Sequence, residues 1–298
     1  MADLAARFSH FAGIDWSGAA GERHKGLAVA LMGAGDPAPR LVRPGHVWSR
    51  AEVLGWIVAE APADTLIGFD MGLSLPFADA GAFFPGWPAS PPDARALWAL
   101  VDTICAGEPH LGVSAFVDHP EISAYFRRPR KSGEASGQVG AHFGQGRGRW
   151  RVAEHAQAAI GLRPTSNFNL VGAAQVGKGS LAGMRLLHRL PREIAVWPVD
   201  PLPARGKVVL EIYSTIAAMA GGRPAGRSKV REAGALDAVL AGLGAGASGL
   251  VGAVPDHAAD ALMTAAWLRS HAGRAAYWQP RAMTPAIART EGWTFGTG

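Results

Sequence analysis

The chain has 298 residues, 48% hydrophobic and 18% charged, enough to bury a sizeable core as one large domain or two smaller ones. Its single cysteine, Cys105, excludes an intramolecular disulfide and the zinc sites that need several thiolates, which fits a reducing cytoplasm. The formal charge of +5, with a pI near 9.8, permits an anionic partner without specifying one.

The N-terminus has no basic stretch leading into a sustained apolar core, and no apolar run approaches the roughly 18 residues of a membrane helix, so the sequence reads as soluble, cytoplasmic and without a membrane partner. The first strand signal is Phe11–Trp16. A turn from Ser17 to Gly21 connects it to a second apolar run, Gly26–Met32, and the two read as a hairpin. A short third strand is expected around Arg40–Val42. Ser49 then suits the N-cap of a helix from Arg50 to Ala61, with Val53, Leu54, Ile57 and Val58 at helical spacing and Pro62 as its stop. Leu66–Asp70 is a short, buried-type strand that runs into a glycine turn.

Between about Pro76 and Gly206 the pattern changes to proline-rich connections, with helices expected near Asp93–Cys105 and Val152–Ile160 and after residue 180. This stretch reads as an insertion. It includes a glycine-rich segment, Gly133–Gly148, too poor in apolar residues to offset its ordering entropy unless it binds something. Around that segment lie Arg127, Arg128, Arg130, Lys131, Arg147, Arg149 and Arg151 against the single acid Glu134. The local balance of +6 exceeds the net charge of the whole chain, and a basic loop can hold a nucleic-acid backbone with salt-sensitive affinity. Order returns with Lys207–Tyr213, a β-branched strand, then a helix near Lys229–Leu243 and a final helix from Pro255-Asp256 to about His271.

Three of these strands carry or end in an acid, although Asp is disfavoured in strands and a buried carboxylate is costly without a partner. By the period of two, Asp15 shares a face with Gly13 and Ser17, and Glu211 shares one with Val209 and Tyr213. Asp70 stands where its strand meets the glycine turn. On the last helix Asp256 and Asp260 are four residues apart and therefore on one face, where like charges repel by a few tenths of a kcal/mol. The alanines between and after them allow close packing on a sheet.

Gly13-Ile14-Asp15, Ile67-Gly68-Phe69-Asp70 with Gly72 and Pro76, Glu211-Ile212-Tyr213, and Asp256 with Asp260-Ala261 resemble the RNase H-like nuclease superfamily, and more closely the family of unknown function numbered 429, described as predicted nucleases. Ala258–Leu262 is also similar to the final helix of bacterial Holliday-junction resolvases. The resemblance implies an RNase H-like mixed five-stranded sheet flanked by helices, with a long, largely helical and loop insertion after the fourth strand. It further implies a single domain over residues 1–298, with a core of about 8–76 and 207–275 and an insertion of about 77–206. The first and fourth strands would then stand side by side with the last helix nearby, gathering Asp15, Asp70 and Asp260. Glu211 would be the fifth-strand acid, although a mid-strand carboxylate can equally face the opposite surface or pair with a basic side chain.

The function that follows is metal-dependent phosphodiester hydrolysis of DNA or RNA. Asp15, Asp70, Glu211 and Asp260 would be catalytic, with Asp256 joining them around Mg²⁺ or Mn²⁺, since clustered carboxylates suit these hard ions. Two other readings remain: a nucleotide-dependent phosphotransferase of the actin-like class, to whose phosphate loops Asp70–Ser74 is similar, and a non-catalytic binding protein on the same fold. Gly172–Lys178 nearly matches a P-loop, but Gly179 takes the Ser/Thr position and no clear strand precedes it.

Overall fold

The computed structural model describes residues 4, 6–129, 138–172, 176–227 and 229–298. The expected hairpin forms from β1 (His10–Asp15) and β2 (Ala28–Gly33), and the two-residue β3 (Arg40–Leu41) lies antiparallel outside it. Helix α1 (Arg50–Gly55) starts at Ser49 with a full capping box closed by Glu52, and continues as a π-helical turn, Trp56–Glu60. β4 (Thr65–Asp70) then returns parallel to β1.

In the expected insertion are α2 (Ala94–Ile104), capped by Asp93, the single turn α3 (Ser114–Val117), a small hairpin of β5 (Arg127–Arg128) and β6 (Gln138–Val139), α4 (Val152–Ala159) and α5 (Val176–Arg189). A further strand, β7 (Ala195–Trp197), precedes β8 (Val208–Glu211), and both run parallel to β4. The chain closes with α6 (Ser214–Ala220), α7 (Ala233–Gly242), α8 (Asp256–His271) and the short α9 (Ala275–Trp278) and α10 (Pro285–Thr290).

The main sheet is therefore mixed and six-stranded, in the order β3-β2-β1-β4-β8-β7. Five strands were expected; the sixth, β7, comes from within the stretch read as an insertion, which thus returns to the sheet edge. Helices cover both faces. On one, Ala12, Ile14, Ile67, Phe69 and Val209 pack with α2 and α5 in one apolar core; on the other, Phe11, Leu66, Val208 and Leu210 pack with α6, α7 and α8. Among the described residues no helix is long and apolar enough to cross a membrane.

Two features of this packing fix the carboxylate-bearing end of the sheet. β1, β4 and β8 are mutually parallel, so Asp15, Asp70 and Glu211, each the last residue of its strand, arrive at the same edge. Gly13 lets α8 lie directly on β1: a Cβ there would stand 2.2 Å from the Ala261 carbonyl oxygen. The absent side chain brings α8, and Asp260 on it, onto the strand that carries Asp15.

Candidate carboxylate site

Asp15 and Asp70 are paired in register across β1 and β4, so their side chains leave the sheet on one face, the face with Gly13 and α8. Asp260 approaches them from the second turn of α8 and is 5% exposed. All three carboxyls are pushed upward in pKa. Burial is the main cause at each, and for Asp15 the charges of Asp70 and then Asp260 add to it. At Asp70, where the Ser214 hydroxyl and backbone N–H donate and partly oppose the shift, the value rises to about 6. Asp15 accepts no hydrogen bond from the protein among the described residues.

The cation beside these acids is Lys229. Its Nζ donates to Asp260 Oδ2 at 3.1 Å, and its own pKa is raised: burial would lower it, but Asp260 and then Asp15 outweigh that. The expected Asp256/Asp260 pair is divided between two partners. Asp256 faces outward and takes a two-point bond from Arg231 (2.8 and 3.1 Å), which holds its carboxyl below the usual range. It acts on Asp15 and Asp260 through its charge, and the reading of Asp256 as a metal ligand gives way to a surface ion pair.

Glu211 also departs from its expected role. β8 pairs with β4 so that Glu211 stands opposite Phe69, one residue out of phase with Asp70, and its side chain therefore leaves the sheet on the other face. There it is 2% exposed and both oxygens are committed. Oε1 accepts from Arg151 (2.7 Å) and from the Thr294 hydroxyl; Oε2 accepts from Arg151 (2.7 Å) and the Leu73 N–H (2.8 Å). A carboxylate so occupied has no lone pair ready for a metal.

Arg151, expected on a solvated basic loop, is 1% exposed between Glu211 and Glu154, and its remaining reach goes to the Glu291 carbonyl (3.0 Å). Arg149 is likewise structural, bonded to Asp79 and to the carbonyls of Pro76, Ala82 and Phe83. Neither offers its guanidinium to a phosphate, because the chain around residues 149–151 is drawn inward to cap α4. Arg128 bonds Asp118 (2.8 Å), Arg127 is partly buried on β5, and Arg147 is exposed. Arg130, Lys131 and the Gly133–Gly137 part of the expected loop lie outside the described residues.

Asp15, Asp70 and Lys229 line a cavity of about 730 Å³ at the edge where the strands end. Its wall comes from the Ser17–Ala19 turn, the Met71-Gly72 turn, the start of α6 and the start of α5. Asn167 braces the second of these turns: its side chain donates to the Ser74 carbonyl (2.7 Å) and accepts from the Ser180 hydroxyl, which itself accepts from the Gly72 N–H (3.0 Å). Lys229 and Arg163 are the cavity's cations besides the committed Arg151. Sequence reasoning missed both, and no spacing or pattern around either marks it.

Among the described residues, no group of three or more His, Cys, Asp or Glu side chains is arranged to hold a metal ion. The near approach to one is Asp15 with Asp70, while Asp260 is turned to Lys229. No family model, curated protein or solved structure matches the chain.

Proposed function

We propose that the chain is an RNase H-like, metal-dependent phosphodiesterase acting on nucleic acid, with Asp15 and Asp70 as the metal ligands and Asp260 as the third acid of the site. One observation carries this reading: two aspartates, in register on adjacent parallel strands, leave the sheet on one face at the cavity wall, both held above the usual carboxylate range mainly by burial, with the charge of Asp70 adding to the rise at Asp15. Folding places like charges together at a cost unless a cation joins them. The strand order 3-2-1-4 followed by a parallel strand, with a helix packed on β1 through Gly13, supports the RNase H-like assignment.

The donors fit Mg²⁺ or Mn²⁺. Mg²⁺ is commonly held by one or two carboxylates with waters and substrate phosphate oxygens, so a two-aspartate site needs no full protein cage. When bound, such an ion activates water and offsets charge on the phosphate. The chain's own contribution is positional. Ser214, at the start of α6, partly offsets the effect of burial on the Asp70 carboxyl, and Asp15 is left open to the cavity. Lys229 neutralises Asp260 and, like Arg163, lines the cavity, where the two supply positive charge for a phosphate-bearing substrate.

A second reading, nucleotide-dependent phosphotransfer, is favoured by the cavity itself, whose 730 Å³ falls within the range of small-molecule sites. One pair of assays separates the two. With Mn²⁺, the protein is expected to cleave a single-stranded or branched oligonucleotide, Asp15→Asn and Asp70→Asn each lowering the rate by about a hundredfold or more. Cleavage unaffected by either substitution, or none together with thermal stabilisation by ATP and Mg²⁺, rejects the phosphodiesterase reading.

A further inference from the structure

Lys229 bears on all three acids of the site, its charge opposing the upward pKa shift at Asp15, Asp70 and Asp260. It stands in a stretch outside helix and strand and lines the same cavity as Asp15 and Asp70. Its contact with Asp260 is asymmetric: the Asp260 side chain is 7% exposed and the Lys229 side chain 62%. A carboxylate as buried as Asp260 cannot turn to water and needs a cation or donors beside it. The ammonium has no such need. It is held at one oxygen, Asp260 Oδ2 at 3.1 Å, and on its flexible stem it regains full hydration when it leaves. Arg151 makes the contrast, 1% exposed with its guanidinium shared between Glu154, Glu211 and the Glu291 carbonyl.

The buried member of the pair is also the acid nearest to joining Asp15 and Asp70, since its charge acts on both. A divalent ion held by those two aspartates and the Lys229 ammonium would be like charges sharing one buried carboxylate, and like charges at such range repel. Either cation satisfies Asp260; the two together do not.

We propose that Lys229 and a divalent cation exclude one another at Asp260, so that a metal held by Asp15 and Asp70 takes Asp260 as its third carboxylate only as the Lys229 ammonium moves off. This rests on the reading that Asp15 and Asp70 bind the metal, and it adds what the metal must displace. Lys229 is then an exchangeable counter-ion of the acids, whose charge stays on the cavity wall when it leaves Asp260.

The test is the affinity of the intact chain for Mn²⁺ at pH 7, read from the electron paramagnetic resonance of the free ion, in wild type, Lys229→Met, Asp260→Asn and the double variant. Lys229→Met removes the ammonium and keeps an apolar stem, at a side chain exposed enough that little packing is lost. It should bind Mn²⁺ about fivefold more tightly than wild type, the upper end of what a partly exposed ion pair is worth. In the Asp260→Asn background the same substitution should change the affinity by no more than about twofold, because no shared carboxylate is released. The ammonium itself gives a second readout: Mg²⁺ should shift the side-chain nitrogen resonance of Lys229 in wild type and leave it unmoved in Asp260→Asn. Equal tightening in the two backgrounds would mean that Lys229 repels the metal only through space, and overturns the exclusion. So does Mn²⁺ binding of equal affinity in wild type and Lys229→Met. No Mn²⁺ binding by any of the four proteins removes the metal site, and the exclusion with it. Tighter binding in Lys229→Met without Mn²⁺-dependent cleavage by wild type keeps the exclusion and removes the phosphodiesterase reading, so the two failures are distinguishable.

Discussion

Asp70 has its carboxyl raised to about 6, from an ordinary value of 3.8, by burial, with Asp260 adding to it against the Ser214 bonds. A carboxyl whose pKa is higher in the folded state binds its proton more tightly there than in the unfolded chain. Stability from this group is therefore present below about pH 4 and lost as pH rises to about 6, by up to about 3 kcal/mol. Asp70→Asn removes the dependence. In urea titrations without divalent metal, wild type should lose more stability than Asp70→Asn between pH 4 and 7. Equal losses in the two proteins would show that Asp70 is not the strained acid.

Glu211 and Arg151 make the opposite case at the same scale, a pair of buried charges with every lone pair and N–H directed at a partner. Removing one member strands the other, and such breaks typically cost about 3–5 kcal/mol. Glu211→Gln and Arg151→Met should each lower the urea midpoint accordingly. In Glu211→Gln, if it remains folded, the thermal shift produced by Mn²⁺ should persist. Loss of that shift with the fold intact would return Glu211 to the metal site. The sequence shows Glu211 as an acid within an apolar strand, and its parity places it with Val209; what it does not show is the β4–β8 register, which puts that face opposite Asp70. Nor does it show the partner sixty positions away, since a basic residue in a glycine-rich stretch looks the same whether the chain there turns inward or outward.

At the scale of elements, the contact of α8 with β1 sets how near Asp260 comes to Asp15. Gly13→Ala would place its Cβ 2.2 Å from the Ala261 carbonyl and 2.8 Å from Thr264 Cβ, atoms that cannot swing aside. α8 would have to move outward. The expected cost is about 1–3 kcal/mol, read from urea unfolding, together with a weaker response to Mn²⁺ because the acids separate. An unchanged midpoint would mean that the helix is less tightly seated than Gly13 requires. Gly13 and the alanines after Asp260 make this contact legible in sequence, as the caps Ser49 and Asp93 make α1 and α2. β7 is not legible: three residues before Pro198 carry too little periodicity, and they become a strand only because β8 offers an edge. The tail is similar. Trp293–Thr297 is buried through Thr294 and Phe295 on the end of β8, contacts that no local pattern announces.

For the whole molecule, one parallel β1-β4-β8 core delivers three carboxylates to one edge, and the register then divides them. Asp15 and Asp70 leave the sheet on the α8 face, while Glu211 leaves it on the other as an anchor for Arg151, although all four line the same cavity. The basic stretch around Arg127–Arg151 is divided as well: Arg149 and Arg151 hold the structure together, and the cavity's own cations are Lys229 and Arg163. A strand-end acid that breaks local preference marks the site in sequence; the identity of the cations does not follow from it, because they enter on loops whose course is fixed by tertiary packing. The most direct measurement is the thermal midpoint of wild type and Asp15→Asn with and without Mn²⁺ at pH 7. Binding to the folded state alone adds about 2.7 kcal/mol at one hundred times Kd. A metal site at Asp15 and Asp70 gives a clear Mn²⁺ shift in wild type that largely disappears in a folded Asp15→Asn. No shift in wild type, or an equal shift in Asp15→Asn, would contradict it.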